Sequence, residues 1–158
     1  MLIQGEVKEG YGSPTIHLRQ PSDEVRKLLG KPEKKRKAPG AREYWIYSKL
    51  GVDLLVSRRT GRLLSIFFHR KGKGYSRTAD VRTASGIAMS TNRDHVLDSY
   101  GEPYKTGGGD LLLSGGEFVG SWLSYRSGIG FHFDRDGRVE VISIFSAKRP
   151  GRQNEEGT

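Results

Sequence analysis

The sequence predicts an α+β fold made of two tandem α-β-β-β repeats, each a short helix packed on an antiparallel β-meander. Three observations predict it: two similar segments about 71 to 77 residues apart, a helix signal at the start of each, and strand signals after it. Self-similarity at one spacing is typical of repeat architectures. We divide the 158 residues into a first repeat at 1–75, a second at 76–147 and a flexible C-terminal tail at 148–158.

The repeat is carried by two helix segments and by residues further along. PSDEVRKLLGKP at 21–32 aligns with NRDHVLDSYGEP at 92–103 at a shift of 71, and later matches occur at shifts of 76 or 77. The extra residues fall in the Gly-rich stretch 106–120, where we expect a loop insertion. The matched pairs are Asp23 with Asp94, Val25 with Val96, Gly30 with Gly101, Pro32 with Pro103, Trp45 with Trp122, Gly51 with Gly128, Gly61 with Gly137 and Ile66 with Ile142.

Each helix has its own start and stop signals. Val25, Leu28 and Leu29 lie at i, i+3 and i+4, on one face of a helix. Pro21 suits the first helical position of the first helix, and Thr91 can cap the second. The Gly after each helix supplies a left-handed C-terminal residue, and the Pro two residues later prevents continuation. We therefore expect two helices of about eight to ten residues, held by packing.

Apolar and aromatic segments after each helix predict three strands per repeat. The turn Asp134-Arg135-Asp136-Gly137 contains Asp-Gly between apolar runs, a strong hairpin signal. With one helix on one face of each sheet, we expect the other face to be partly open. The predicted strands are 43–49, 52–58 and 62–68 in the first repeat, and 121–126, 129–134 and 138–145 in the second.

This pattern resembles a known family of small binding proteins. The order I-x-L, DEV, LLG-x-P, W-x-Y, G and G-R-x-x-x-I is similar to the tandem repeats of the β-lactamase-inhibitor-protein-like fold and to the SmpA/OmlA (BamE-type) bacterial envelope lipoproteins. The resemblance implies a non-catalytic protein that binds other proteins across the open face of a sheet. The chain departs from both groups, because it has no cysteine for a lipid anchor or a disulfide.

Charge is concentrated in the first half of the chain. Residues 1–80 hold 18 basic and 8 acidic residues, whereas the remainder holds 9 and 10, within an overall net charge of +9. Such asymmetry indicates an anionic partner, or else a solvated basic loop. No apolar run reaches the roughly 18 to 20 residues of a membrane span. We expect a cytoplasmic protein as the sequence stands, or a periplasmic or secreted one if Met1 is not the natural start.

Motifs for catalysis or metal binding are not found in the sequence. The four histidines, His17, His69, His95 and His132, show no paired ligand spacing, and zinc would have to be held without Cys. Asp134-x-Asp136-Gly137 resembles part of a calcium loop but lacks its closing Glu, and the Gly-rich stretches do not match phosphate loops. We expect no enzyme activity, no cofactor, no metal and no small-molecule ligand.

The expected function is protein binding through the open sheet face and the basic first repeat, with an acidic protein as partner. The alternative is nucleic acid or another polyanion, favoured by an isoelectric point near 9.9 and by aromatic and Arg residues on strands. We expect each Trp to be a core anchor of its repeat, although Trp and Tyr are also typical of interfaces. The candidate partner-binding residues are Tyr44, Arg58, Arg59, Phe67, Tyr125, Lys34, Lys35, Arg36 and Lys37.

Overall fold

The protein is an α+β structure with few helices and one large antiparallel sheet, as predicted. The computed structural model describes residues 2–108, 111–113, 116–118 and 120–148. The predicted tail at 148–158 lies outside the described residues except for Lys148. The elements are β1 (Gln4–Glu6), α1 (Ser22–Leu29), β2 (Lys34–Ala38), β3 (Arg42–Tyr47), β4 (Val52–Ser57), β5 (Leu63–His69), β6 (Asp80–Arg82), α2 (Arg93–Tyr100), β7 (Lys105–Gly107), β8 (Leu111–Leu113), β9 (Gly116–Phe118), β10 (Trp122–Tyr125), β11 (Ile129–Phe133) and β12 (Val139–Ile144).

Eight strands from both halves of the chain form one continuous sheet. Its order is β2-β3-β4-β5-β12-β11-β10-β7, and β5 and β12 join the halves edge to edge with Phe68 opposite Ile142. A short parallel pair, β1 with β6, crosses between the predicted domains 1–75 and 76–147. In the stretch where we expected only a loop insertion, β8 pairs with β9.

The prediction of three strands per half was too low. Each half supplies four strands to the large sheet, because β2 and β7 pair with the outer sides of β3 and β10. Alternating apolar residues could not reveal either strand: β2 has the sequence KKRKA, and β7 is only KTG. Edge strands need little apolar surface, since one side has no neighbouring strand and charged residues there discourage pairing with other chains.

The two helices lie where the sequence predicts them, with different caps. Pro21 is the N-cap of α1 rather than its first helical residue, and it makes no side-chain cap. Asn92, not Thr91, caps α2: its side-chain oxygen accepts a hydrogen bond from the His95 N–H at 2.9 Å. Both are acceptable starts, because a cap needs extended backbone and, ideally, a short polar side chain.

One hydrophobic core lies between the helices and one face of the sheet. Val25 of α1 and Val96 of α2 belong to the same cluster of buried residues as Leu54 of β4 and Phe131 of β11. We call this side of the sheet the helix-covered face and the opposite side the outer face. No helix among residues 2–108 and 120–148 is long and apolar enough to cross a membrane.

Two β-bulges interrupt the alternation of side chains between the faces. Strict alternation along β5 and β12 would place Leu63 with Phe67, and Val139 with Ser143, on the outer face. A shift in register between Leu55 and Val56, and another between His132 and Phe133, moves both residues into the core. A bulge adds one residue to one strand and so reverses the alternation beyond it.

The expected pairing of the two tryptophans is wrong by one residue. Trp45 lies opposite Leu54 and is buried in the core, whereas the residue opposite Phe131 is Leu123. Trp122, the neighbour of Leu123, therefore points to the outer face and is only half-buried. A single-residue offset reverses the face of every strand residue.

A hydrogen bond from a tyrosine hydroxyl to a backbone carbonyl occurs in each of the two halves. The Tyr47 hydroxyl donates to the Gly30 carbonyl at 2.8 Å, and the Tyr125 hydroxyl donates to the Gly101 carbonyl at 3.0 Å. Burial raises the pKa of Tyr47 to about 12, which keeps its hydroxyl protonated as a donor. Each bond ties the end of a helix to the strand beneath it.

Candidate functional site

The outer face is less open than the sequence predicts. Rows of paired residues cross it, one of them running Lys34, Ile46, Asp53, Phe67, Ser143, Gly130, Ser124 and Lys105. Most central members of these rows are buried although they face away from the helices. The segment between β5 and β6, residues 70–79, which we call the connector, covers part of this face. Access to the outer face is therefore concentrated toward its two ends.

Four of the predicted partner-binding residues come together at the β2 end of the outer face. Lys34 and Arg36 of β2 pair with Ile46 and Tyr44 of β3, so their side chains share this face. The Tyr44 and Phe67 rings lie 6.2 Å apart and are tilted by 57°. All four residues are exposed or half-buried. The result is an aromatic pair beside two cationic side chains.

Lys35 and Lys37 lie on the other side of the same strand. The Lys35 ammonium is 5.0 Å from the Trp45 ring centroid and 3.8 Å from a Glu43 carboxylate oxygen. Lys37 pairs in register with Glu43. Alternation along β2 therefore divides the four cations between the two faces, two on each. We call β2, with Lys34–Lys37, the basic edge.

Arg58 and Arg59 lie at the end of the sheet nearest the β2–β3 turn. Both are exposed in the turn after β4, and the Arg58 N–H donates to the Ala41 carbonyl at 2.8 Å. Arg42 is also held at this turn, its Nε donating to the Pro39 carbonyl at 2.6 Å. These arginines extend the positive charge of the basic edge around one corner.

Tyr125 is separate from this group. It lies on β10, at the opposite end of the sheet, and its ring packs in the core against Phe131 at a centroid distance of 6.2 Å. It is 6 % exposed, and its hydroxyl is used by the Gly101 carbonyl. The structure therefore places Tyr125 on the helix-covered face.

A buried polar cluster occupies the centre of the outer face, and the sequence analysis missed it. Asp53 of β4 accepts hydrogen bonds from His69 of β5, at 3.0 Å, and from the hydroxyl of Tyr75 in the connector. The Tyr75 ring stacks on the His69 ring with centroids 3.7 Å apart. The signal was present in the sequence: Asp53 and His69 are polar residues within otherwise apolar strands, and such residues need buried partners.

The connector is also fixed to the second half by ion pairs. Arg70 contacts the Asp134 carboxylate at 2.8 Å, and the Lys73 ammonium contacts Glu140 at 3.0 Å. Partial burial alone would raise the pKa of Asp134, but hydrogen bonds from the Arg138 N–H and the Arg70 guanidinium lower it. The predicted Asp-Gly turn is present, with Asp134 accepting hydrogen bonds from the backbone N–H groups of Asp136 and Arg138.

A small cavity lies at the other end of the outer face. Its volume is about 220 Å³. His132 lines it, on the side of β11 opposite the buried Phe131 and Phe133. Burial, and then the proximity of His69, lower the pKa of His132 to about 4, so its imidazole is neutral at pH 7. We call this space the outer-face cavity, lined by Trp122, Leu123, Ser124, Gly130, His132 and Ser143.

The chemistry of these groups favours binding and structural support. Within the described residues no three His, Cys, Asp or Glu side chains are placed to hold a metal ion. His69 is 2 % exposed and Asp53 is fully buried, so no ligand in solvent reaches this Asp–His pair in this conformation. The exposed chemistry consists of the basic edge with its aromatic pair, and of the outer-face cavity.

Comparison with known proteins identifies structural similarity alone. No protein family and no curated protein matches the sequence. One similar solved structure is an extracellular protein containing an SCP domain from Bacillus anthracis str. Ames, with a TM-score of 0.52 and 12% identity over 82% of this chain. Another is a cysteine-rich secretory protein from Staphylococcus aureus subsp. aureus Mu50, with a TM-score of 0.51 and 6% identity over 90% of this chain.

These matches correct the resemblance inferred from the sequence. The similar structures are SCP-domain and cysteine-rich secretory proteins, not β-lactamase-inhibitor-like or BamE-type proteins, so that assignment was wrong. The chain spans only 44% and 47% of their lengths. The motifs failed because helix caps, turn glycines and a buried Trp are general requirements of α+β packing. The expected cytoplasmic location also finds no support, since both similar proteins are described as extracellular or secretory.

Proposed function

We propose that the chain is a non-enzymatic protein-binding module that takes an acidic, extended polypeptide segment at the basic edge. The observation that carries this proposal is that Lys34 and Arg36 share the outer face with the Tyr44 and Phe67 aromatic pair, and that Arg36 lies directly opposite Tyr44. Trp, Tyr and Arg dominate binding energy at protein interfaces, and complementary charge raises association rates and selects partners.

The backbone of β2 provides a second source of affinity. It is the last strand of the sheet, and no described strand pairs with its outer side. An added strand gains main-chain hydrogen bonds, while alternate side chains supply specificity. Lysines on an edge strand repel basic and identical strands, but a strand rich in Glu or Asp meets them with opposite charge.

A fluorescence anisotropy titration with a defined probe tests this proposal. The probe is a labelled 12-residue peptide of alternating Glu and Val, compared with a Gln and Val peptide of equal length. We expect saturable binding of the acidic peptide alone. Binding weakens at least tenfold in the K34E/R36E variant, which corresponds to about 1.4 kcal/mol. The matched control K8E/K27E makes the same change in net charge at exposed sites elsewhere. We expect it to bind the acidic peptide as tightly as the wild type.

Three results would contradict the proposal. The control variant could weaken binding as much as K34E/R36E, the neutral peptide could bind equally well, or neither peptide could bind. Equal weakening in the control variant would mean that binding depends on net charge alone. Equal binding of the neutral peptide would mean that the partner need not be acidic, and no binding of either peptide would mean that the basic edge takes no such strand.

Nucleic acid or another polyanion is the second candidate function. The cluster of Arg42, Arg58 and Arg59 beside Tyr44 favours it, since cations with an aromatic side chain suit single strands. A labelled single-stranded oligonucleotide in the same titration separates the candidates. Tight oligonucleotide binding that falls steeply with salt, together with weak peptide binding, would favour the polyanion.

We also infer that the two halves are copies of one α-β unit. The support is the Tyr-to-Gly hydrogen bond at the end of each helix, the bulge where β4 pairs with β5 and where β11 pairs with β12, and the left-handed glycine before β4 and before β11, Gly51 and Gly128. We also propose that the protein is extracellular. The support is that the two similar structures are described as extracellular and secretory proteins.

A further inference from the structure

The outer-face cavity is a second exposed feature, and it shares no residue with the basic edge. The sequence predicts no small-molecule ligand for this protein. Its volume of about 220 Å³ is the space of about seven water molecules. It lies below the roughly 300 Å³ at which pockets for drug-sized ligands begin. The space therefore suits one ring with its substituents.

The cavity exists because small residues replace large ones. Gly130 of β11 and Ser143 of β12 pair with each other, as Asp53 and Phe67 do in the first half. A Cβ added at Gly130 would lie 2.6 Å from the Ser143 hydroxyl oxygen, so even an alanine disturbs the floor. The half-buried Trp122 forms part of the lining, and its ring packs on Gly107 of the edge strand β7.

The lining offers one flat apolar surface and several neutral polar groups. Trp122 supplies an indole ring, and Ser124, Ser143 and His132 supply hydrogen-bonding atoms. None of the six lining residues is Lys, Arg, Asp or Glu. His132 is neutral at pH 7 because of its burial. A lining without charge disfavours an ionised ligand, which would lose hydration without gaining a counter-ion.

From this lining we propose that the outer-face cavity binds the ring of a neutral sugar. A pyranose has an apolar C–H face that packs on an indole ring, and its hydroxyls donate to and accept from serine and neutral imidazole. A purely aromatic ligand would use the indole surface of this lining but not its hydroxyl groups. This site shares no lining residue with the peptide-binding proposal, although Ser143 of the cavity lies opposite Phe67 in the sheet.

Fluorine NMR of the full chain, labelled with 5-fluorotryptophan, tests the proposal directly. The chain has two tryptophans, and Trp45 in the core serves as an internal reference. The probes are methyl glucoside and N-acetylglucosamine as neutral sugars, glucuronate as a charged sugar, and indole as an aromatic ligand. We expect a saturable shift of the Trp122 resonance with a neutral sugar and no shift of the Trp45 resonance.

Variants locate the binding. Ser143→Phe places the residue of the first half into the cavity and should weaken sugar binding at least tenfold. Trp122→Leu, followed by saturation transfer to the sugar protons, should do the same if Ser143→Phe does not fold. The control Tyr44→Leu removes an outer-face aromatic from the other end and should leave sugar affinity unchanged.

Several outcomes overturn the proposal. Binding of indole without binding of any neutral sugar would make the cavity an aromatic slot. Binding of glucuronate alone would require a cation that the lining lacks. Equal shifts at Trp45 and Trp122, or no shift with any neutral sugar, would show that no sugar site exists there.

Discussion

The outer face of the sheet differs between the two halves at corresponding positions. Two residues after the turn glycine, β4 carries Asp53 and β11 carries Gly130; their partners on the next strand are Phe67 and Ser143. The first half therefore fills its outer face with side chains, and the second leaves a cavity. The two halves therefore have different outer surfaces on similar strands, and a function inferred for one half does not transfer to the other.

The filled half depends on a carboxylate with buried partners. Asp53→Ala leaves His69 and the Tyr75 hydroxyl buried without their acceptor, and each such loss costs about 1 to 3 kcal/mol. We expect the free energy of unfolding to fall by about 4 kcal/mol in urea titrations. The control Asp80→Ala removes an exposed carboxylate and should change it by less than about 0.5 kcal/mol. Equal effects of the two variants would show that the cluster contributes nothing.

The second half should destabilise the protein in acid through His132. Its folded-state pKa of about 4 lies below the unfolded value of about 6.5. The unfolded state therefore binds more protons in this range, and stability falls as pH drops from 6.5 to 4, by about 3 kcal/mol.

His132→Leu tests this sign, because Leu is the residue at the corresponding position of the first half, Leu55. The variant should lose less stability than the wild type between pH 6.5 and 4. Parallel curves for the two proteins, measured by urea titration at each pH, would contradict the assignment.

Tyr75→Phe removes one hydrogen bond of the buried polar cluster and keeps the ring on His69. We expect the free energy of unfolding to fall by about 1 to 2 kcal/mol, the order of magnitude of one lost buried hydrogen bond. The Ser76 and Ala79 amides of the connector, which donate to the Ser48 and His69 carbonyls, should exchange hydrogen faster, while those of α2 should not. Unchanged exchange at both amides would mean that Tyr75 does not hold the connector.

The basic edge should show the smallest effect on stability. Lys35→Ala loses the contact with Trp45 and the 3.8 Å pair with Glu43. Lys35 is well exposed, so we expect a loss of about 0.5 kcal/mol, and less in high salt. A loss above about 2 kcal/mol would mean that β2 is anchored by charge rather than by its ladder with β3.

The sequence predicted the elements better than it predicted the faces. Both helices and six strands follow from periodicity and turn glycines, because these signals are local. The bulges that turn Leu63 and Val139 inward, and the offset that turns Trp122 outward, depend on pairing between distant strands. β2 was missed because an edge strand requires little apolar character.

The candidate site was likewise predicted only where the signal was local. Tyr44, Phe67, Lys34 and Arg36 were selected from the sequence and lie together on the outer face. Asp53, His69 and Tyr75 were not, since their partnership joins residues up to 22 positions apart. The cavity was not foreseeable, because it results from what Gly130 and Ser143 lack.

An amide NMR titration of the full chain with the alternating Glu and Val peptide tests the central claim most directly. We expect saturable shifts at Lys34, Arg36, Tyr44 and Phe67 on the filled half, with no shifts at Ser124 and Gly130. Shifts centred on the second half, or spread evenly over all exposed cations, would contradict the claim that the basic edge is the protein-binding surface.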